Sequence, residues 1–366
     1  MTEHAGYDSF LLVSFGGPEG PDDVMPFLEN VLRGKNVPRE RMLEVAEHYR
    51  HFGGVSPINS HNRALLQALT EEFKAAGIDL PIYWGNRNWN PLLPDTLRQM
   101  RDDGRHRALA FFTSMFSCYS GCRQYRENIA AAREQVGPDA PVVEKLRMGF
   151  NHPGFIEPMA DSVRQATQRI NGDTKTQVLF TAHSIPMSMA ENCTYERQLR
   201  EACRLVAEEA GMGNWELVFQ SRSGPPQQPW LEPDVCDWIA RADDEAHLNG
   251  LVIAPIGFVS DHMEVLFDLD EQAAELCQSR GIPMARAVTV GTDRRFVTMV
   301  RQLVEERLGL AQERLALGSL GPWHDVCPAD CCLYTPTRPP AGGRPAATMH
   351  DPTKAPAAPI SEKPGE

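Results

Sequence analysis

Two short stretches, Thr181-Ala-His-Ser-Ile-Pro186 and Ser260-Asp-His-Met-Glu-Val-Leu-Phe-Asp-Leu-Asp-Glu271, hold the residue types best suited to chemistry. Each follows an apolar run of strand length, which sets His183 and Glu264 at expected strand ends. In an open α/β sheet, ligands bind outside the carboxyl ends of the strands. A neutral imidazole accepts a proton or ligates a borderline metal, and clustered carboxylates attract and partly dehydrate a divalent cation. The pair reads as a site that handles a metal ion and protons together.

Both residues also have a plainer reading. A strand-end histidine can be satisfied by backbone groups alone. Asp261 followed by Glu264 has the spacing of a capping box, in which the carboxylate only starts a helix. Beyond Glu264, however, Asp268, Glu271 and Glu275 follow in steps of four, three and four, which lines four carboxylates along one helical face. Like charges so placed repel, so a cation path accounts for them better than a structural helix does.

These groups need a framework that brings distant strand ends together. Apolar runs at Phe10–Val13, Ala108–Phe112, Gln177–Phe180, Glu216–Phe219 and Leu251–Ile256 have the length and the Gly, Ser or Pro punctuation of buried parallel strands. Helical patterns at Asn59–Ala76, Gln124–Gln135, Pro158–Ile170, Thr194–Ala210 and Asp268–Arg280 lie between them. The alternation predicts an α/β, doubly wound architecture with helices on both sheet faces. Strand and helix alternate once over residues 8–115 and again over 177–258, which predicts two similar lobes with a cleft between. Pro283–Leu308 is expected to add a strand and a closing helix that crosses back onto the first lobe.

A chain of 366 residues exceeds one ordinary core. The expected division is a first lobe at 1–155, a second at 156–310, a cysteine segment at 311–334 and a tail at 335–366. The tail has eight prolines in 32 residues, with Met349 and Ile360 its only large apolar side chains, and is expected to be disordered. With 42% hydrophobic and 23% charged residues the composition is that of a soluble protein, and a net charge of −13 excludes a general nucleic-acid binder. No run has the length of a transmembrane segment and the start lacks signal-peptide character, so a cytoplasmic location is expected.

In that compartment the nine cysteines are thiols or metal ligands rather than disulfides. Cys327, Cys331 and Cys332 fall within Trp323-His-Asp-Val-Cys-Pro-Ala-Asp-Cys-Cys332 and suggest a soft metal centre in need of a fourth ligand. Spacing alone does not separate zinc, with His324 completing a Cys3His set, from an iron–sulfur cluster. Cys193, Cys203, Cys236 and Cys277 stand isolated and read as buried small apolar residues.

Six stretches together resemble the ferrochelatases, in order and across about residues 8–310: Ser14-Phe-Gly-Gly-Pro-Glu19, Tyr49-Arg-His-Phe-Gly-Gly-Val-Ser-Pro57, Trp84-Gly-Asn-Arg-Asn-Trp89, Thr181–Pro186, Gln220-Ser-Arg-Ser-Gly224 and Ser260–Glu264. The resemblance implies insertion of Fe2+, the metal substrate, into a porphyrin. It also implies a chelatase fold: two Rossmann-like lobes with four-stranded parallel sheets, flanked by helices around a porphyrin cleft. It makes His183 the proton acceptor and metal ligand, with Glu264 as its catalytic partner and Asp268 in support. Relatives carry a similar acidic ladder, and the equivalent of Gln272 is often acidic.

Tyr49, Ser56 and Tyr125 match positions that contact porphyrin propionates in related enzymes, and Arg33 lies in the equivalent lip. Phe15 is counted among the substrate-binding positions, but it stands where many bacterial relatives carry tyrosine, so no hydroxyl contact is expected there. Trp84 and Trp89 are expected in the core or cleft wall. Several ferrochelatases hold a [2Fe–2S] cluster on three C-terminal cysteines and one distant cysteine; here that implies Cys122, in preference to Cys118, with Cys327, Cys331 and Cys332.

The lip stretch Val31–Arg41 is short and interleaved with charge, and is similar to the actinobacterial enzymes that make coprohaem. The implied substrate is therefore coproporphyrin III rather than protoporphyrin IX. A cobalt or nickel tetrapyrrole chelatase and a non-enzymatic haem or iron sensor are the competing readings. A monomer that meets neighbouring haem-pathway enzymes only transiently is expected.

Overall fold

The most continuously apolar runs become the middle strands of two parallel sheets. The computed structural model describes residues 6–34, 37–224, 227–246 and 248–334. Its first sheet contains β1 (Ser9–Ser14), β2 (Ile82–Asn86), β3 (Arg107–Phe112) and β4 (Val142–Lys145), in the order β2-β1-β3-β4. The second contains β5 (Gln177–His183), β6 (Trp215–Gln220), β7 (Leu251–Ala254) and β8 (Met284–Arg286), in the order β6-β5-β7-β8. Every residue of β1 and of β7 is buried, because helices cover both faces; hence these segments show no polar alternation. The edge strands β2 and β4 escape the search for apolar runs because Ile82-Tyr-Trp-Gly-Asn86 and Val142-Val-Glu-Lys145 are polar in part and only partly buried.

The helices are α1 (Val24–Val31), α2 (Arg39–His51), α3 (Ile58–Ala76), α4 (Leu93–Asp102), α5 (Gln124–Val136), α6 (Pro153–Arg169), α7 (Met187–Ala190), α8 (Tyr195–Ala210), α9 (Val235–Ala246), α10 (Met263–Val265), α11 (Ala274–Ser279) and α12 (Arg294–Leu308). A π-helical stretch, Leu266–Ala273, joins α10 to α11, and another, Tyr119–Arg123, leads into α5. The expected strand and closing helix in Pro283–Leu308 are β8 and α12. The closing helix does reach back to the first lobe: Arg301 Nε lies 2.7 Å from Glu72 of α3, and Arg147 grips Glu306 with a buried fork at 2.7 Å. The expected tail, 335–366, lies outside the described residues.

In each sheet the chain lays its second strand on one side of the first and then crosses to the other side. The crevices so created open at the carboxyl ends of β1 and β3 and of β5 and β7. One continuous core joins the inner faces of both lobes and includes Phe10, Phe116, Phe155, Phe180 and Phe296. A separate cluster of Val24, Phe27, Leu28 and Ala46 unites α1 with α2 and packs on Phe15 and Trp89, just beyond β1 and β2. Among the described residues no helix is long and apolar enough to cross a membrane.

Candidate active site

β5 carries His183 to the mouth of the second crevice. Its backbone carbonyl accepts a hydrogen bond from the buried Tyr195 hydroxyl at 3.1 Å, and Nδ1–H donates to the Ser184 carbonyl at 2.5 Å. With Nδ1 so engaged, Nε2 keeps its lone pair. That nitrogen lies 3.7 Å from Glu264 Oε2, and both side chains are open to solvent in part.

Glu264 is presented by the turn after β7. The capping-box alternative does not hold: His262 Nδ1 accepts from the Glu264 N–H at 3.2 Å, while Asp261 is bound to Arg286 at 2.9 Å and to Thr289 at 3.1 Å. The Glu264 carboxylate is thereby left for His183. Burial holds the His262 ring below the usual imidazole range, which keeps Nδ1 an acceptor.

Asp268 follows within the π-helical stretch. Its Oδ2 accepts from the Ser221 hydroxyl and from Gln220 Nε2, the latter at 3.2 Å; the same Gln220 amide donates to the Glu264 carbonyl at 3.1 Å. Ser221 has φ 60, so the chain breaks from strand geometry directly after β6 and turns its hydroxyl on Asp268. Burial raises the Asp268 carboxyl to about 6, and the Glu264 charge adds to the shift while Ser221 opposes it. Asp268 can therefore exchange a proton near neutral pH.

The outer carboxylates behave differently. Glu271 pairs with His51 of α2 at 2.7 Å, and Glu275 is exposed. One turn back, His48 stacks on Phe267 with ring centroids 4.0 Å apart, so α2 rests directly on the π-helical stretch. Between them burial and the Glu264 charge push the Tyr49 phenol up.

Phe15 follows β1 and meets Phe27 edge-on at 6.2 Å. Ser56 is buried against Gly17: a Cβ on Gly17 would come within 2.7 Å of Ser56 Cβ, so only glycine lets these segments meet. Arg33 is exposed just after α1. Tyr125 is buried and stacks on Phe112 at 5.0 Å. Arg87 joins these groups, its guanidinium 4.4 Å from the Tyr125 ring and 5.6 Å from that of Phe15. Arg87, Gln220, Ser221 and His262 do not stand out from the sequence by themselves. All four lie inside the six family-like stretches, and all but His262 stand at or just beyond a strand end, which is the available signal.

The cysteine segment folds against the π-helical turn after β3. Cys118 caps that turn, accepting from the Gly121 N–H at 3.1 Å, whereas Cys122 lies near enough to Cys327 for the two thiols to shift each other's ionisation. Cys331 Sγ lies 3.5 Å from Cys332 Sγ, and the ligand atoms of His324, Cys327 and Cys331 all fall within 4.8 Å of one another. The neighbouring Cys122 thiol, with Lys145 and Arg126 nearby, holds the Cys327 thiol below its usual range. Arg123 Nη1 ties the segment down through the carbonyls of Ala329 at 2.8 Å and Cys331 at 3.0 Å. The donor set fits a thiolate-bound centre. Cys203 and Cys277 are buried as expected, but Cys193 lies near enough to Cys118, Cys331 and Cys332 to interact electrostatically with each.

The ferrochelatase family model matches residues 7–308. The chain is 73% identical over 347 residues to a ferrochelatase of Rhodopirellula baltica, covering 94% of this chain and 99% of that protein. It is 50% identical over 367 aligned positions to a coproporphyrin III ferrochelatase of Streptomyces coelicolor, covering 94% and 98%. A solved structure of SirB from Bacillus subtilis with Fe3+ shares the fold, with a TM-score of 0.53 at 11% identity over 83% of this chain and 98% of that one. A His–Glu pair at the switch point of a two-lobed α/β chain, and relatives that match that chain nearly end to end, lead to one conclusion: the chain belongs to the ferrochelatase family and is a metal-inserting enzyme of haem biosynthesis.

Proposed function

We propose that the enzyme inserts Fe2+ into coproporphyrin III, forming coprohaem III, with His183 and Glu264 as its catalytic pair. The observation that carries the site is the 3.7 Å approach of His183 Nε2 to Glu264 at the β5–β7 crevice. Insertion forms metal–nitrogen bonds as the pyrrole N–H protons leave. Two protons leave; His183 Nε2 accepts them in turn, and the Glu264 carboxylate stabilises the imidazolium formed each time. Asp268, titrating near 6, relays the proton outward, and Ser221 and Gln220 hold it in place.

Two observations favour the more acidic porphyrin. The lip helix α2 begins with Arg39 and Arg41, exposed beyond Arg33, and such guanidiniums form charge-assisted hydrogen bonds with propionates. Relatives that match almost the whole chain bear the name coproporphyrin III ferrochelatase. The aromatic groups Phe15 and Tyr49 supply a wall for the macrocycle, with Ser56 and Tyr125 supporting it. Comparing kcat/KM for coproporphyrin III and protoporphyrin IX, with and without detergent, tests the assignment. Equal or better use of protoporphyrin IX under both conditions overturns it.

We further propose that Cys122, Cys327, Cys331 and Cys332 hold a [2Fe–2S] cluster. What supports it is that Cys331 lies 3.5 Å from Cys332 and within 4.8 Å of Cys327, that the Cys122 and Cys327 thiols affect each other's ionisation, and that Cys118 is already spent as a cap. Bound there, the cluster supplies iron–thiolate bonds that fasten the cysteine segment to the first lobe. Zinc on Cys327, Cys331 and His324 is the competing occupant. The enzyme is read as a cytoplasmic monomer.

A further inference from the structure

Two acidic side chains flank the segment that bears Glu264 and Asp268, and one guanidinium holds both. Arg286, the last residue of β8, donates to the Asp261 carboxylate from Nη1 at 3.2 Å and Nη2 at 2.9 Å. It also donates to Asp270 from Nε at 2.5 Å and Nη2 at 2.9 Å. Asp261 precedes α10, and Asp270 sits inside the π-helical stretch. Thr289 adds a hydroxyl to Asp261 at 3.1 Å, and the Arg286 carbonyl accepts from Arg169 of α6 at 2.5 Å. The Arg286 side chain is only 14% exposed, which limits screening by water.

A rigid two-sided fork suits this task in a way a lysine ammonium does not. π-Helical hydrogen bonding is uncommon and found mostly as short stretches, so the register of this one requires outside support. The Asp261 arm also leaves His262 to cap the helix, which frees the Glu264 carboxylate for His183. We propose that Arg286 is a positioning residue for metal insertion, clamping the turn before Glu264 and the π-helical stretch beyond Asp268 so that both carboxylates face His183. The proposal rests on the reading of Glu264 as catalytic.

The test uses the full chain and the variants Arg286→Met, Arg286→Lys, Asp270→Asn and Glu264→Gln. Anaerobic insertion kinetics with Fe2+, porphyrin affinity by fluorescence titration and Tm are measured for each. In Arg286→Met, kcat is expected to fall about tenfold or more through misplacement, with KM for Fe2+ raised and porphyrin Kd within about twofold of the parent. Arg286→Lys recovers part of the loss. Asp270→Asn, which removes one arm at a more exposed position, shows the same split in milder form and serves if Arg286→Met does not fold. Parental kcat and KM in folded Arg286→Met, or porphyrin affinity lost in step with insertion, overturns the clamp while Glu264→Gln stays crippled. Parental turnover in Glu264→Gln instead overturns the site reading, and the clamp with it.

Discussion

Gln220 Nε2 lies 3.2 Å from Asp268 Oδ2 and 3.1 Å from the Glu264 carbonyl, so the carboxyl end of β6 grips the π-helical stretch as Arg286 grips it from β8. These are the two edge strands of the second sheet. Gln220 is 1% exposed, so its hydrogen bonds meet little competition from water. Gln220→Met keeps the volume and deletes both bonds. Insertion is expected to fall about tenfold as Asp268 and Glu264 lose their shared donor, with porphyrin affinity unchanged. Steady-state kinetics beside a fluorescence titration checks this, and unaltered kcat contradicts it.

Asp268 makes stability depend on pH. Its carboxyl rises from the ordinary 3.8 to about 6 on folding, so between those values the folded chain holds a proton that the unfolded chain has released. The stabilisation is full below the lower value and is lost as pH rises through the higher one. Asp268→Asn cannot ionise, and is expected to be more stable than the parent above about pH 6 by on the order of 1–2 kcal/mol. The gain should vanish near about pH 4. Denaturant unfolding at a series of pH values measures it; a gain constant with pH would rule out ionisation of the buried carboxyl as its cause.

The middle strands were legible because both of their faces are buried, and Phe10–Val13 and Leu251–Ala254 are accordingly unbroken apolar runs. His183 was legible as a strand end, and strand ends in such sheets point to crevices. Glu264 was expected at a strand end too, but it lies ten residues beyond β7, on α10, because a long turn follows Ala254. What was not legible depends on contacts between residues distant in sequence. Asp261 looks like a cap until Arg286, 25 residues on, takes its carboxylate. The i+3 and i+4 ladder looks continuous until the π-helical stretch and His51, 220 residues from Glu271, divide inner from outer carboxylates. Edge strands β2 and β4 were obscured by their own polarity.

The cysteine centre distinguishes two neighbouring thiols. Cys122→Ser is expected to abolish visible absorption and Cys118→Ser to preserve it, since Cys118 serves the Gly121 N–H. Arg123→Leu, which frees the carbonyls of Ala329 and Cys331, should lower Tm and labilise the chromophore. Anaerobic spectra with iron, sulfide and zinc analysis decide the matter. A colourless protein with stoichiometric zinc contradicts the cluster.

The most direct measurement is anaerobic Fe2+ insertion by His183→Ala set beside its porphyrin affinity. The proposed mechanism makes His183 Nε2, 3.7 Å from Glu264 Oε2, the proton acceptor, and the substitution removes it. The variant is expected to fold and to bind porphyrin as the parent does, while insertion falls by about 100-fold or more. Turnover near the parental rate with porphyrin bound normally would contradict the assignment of this pair as the catalytic centre.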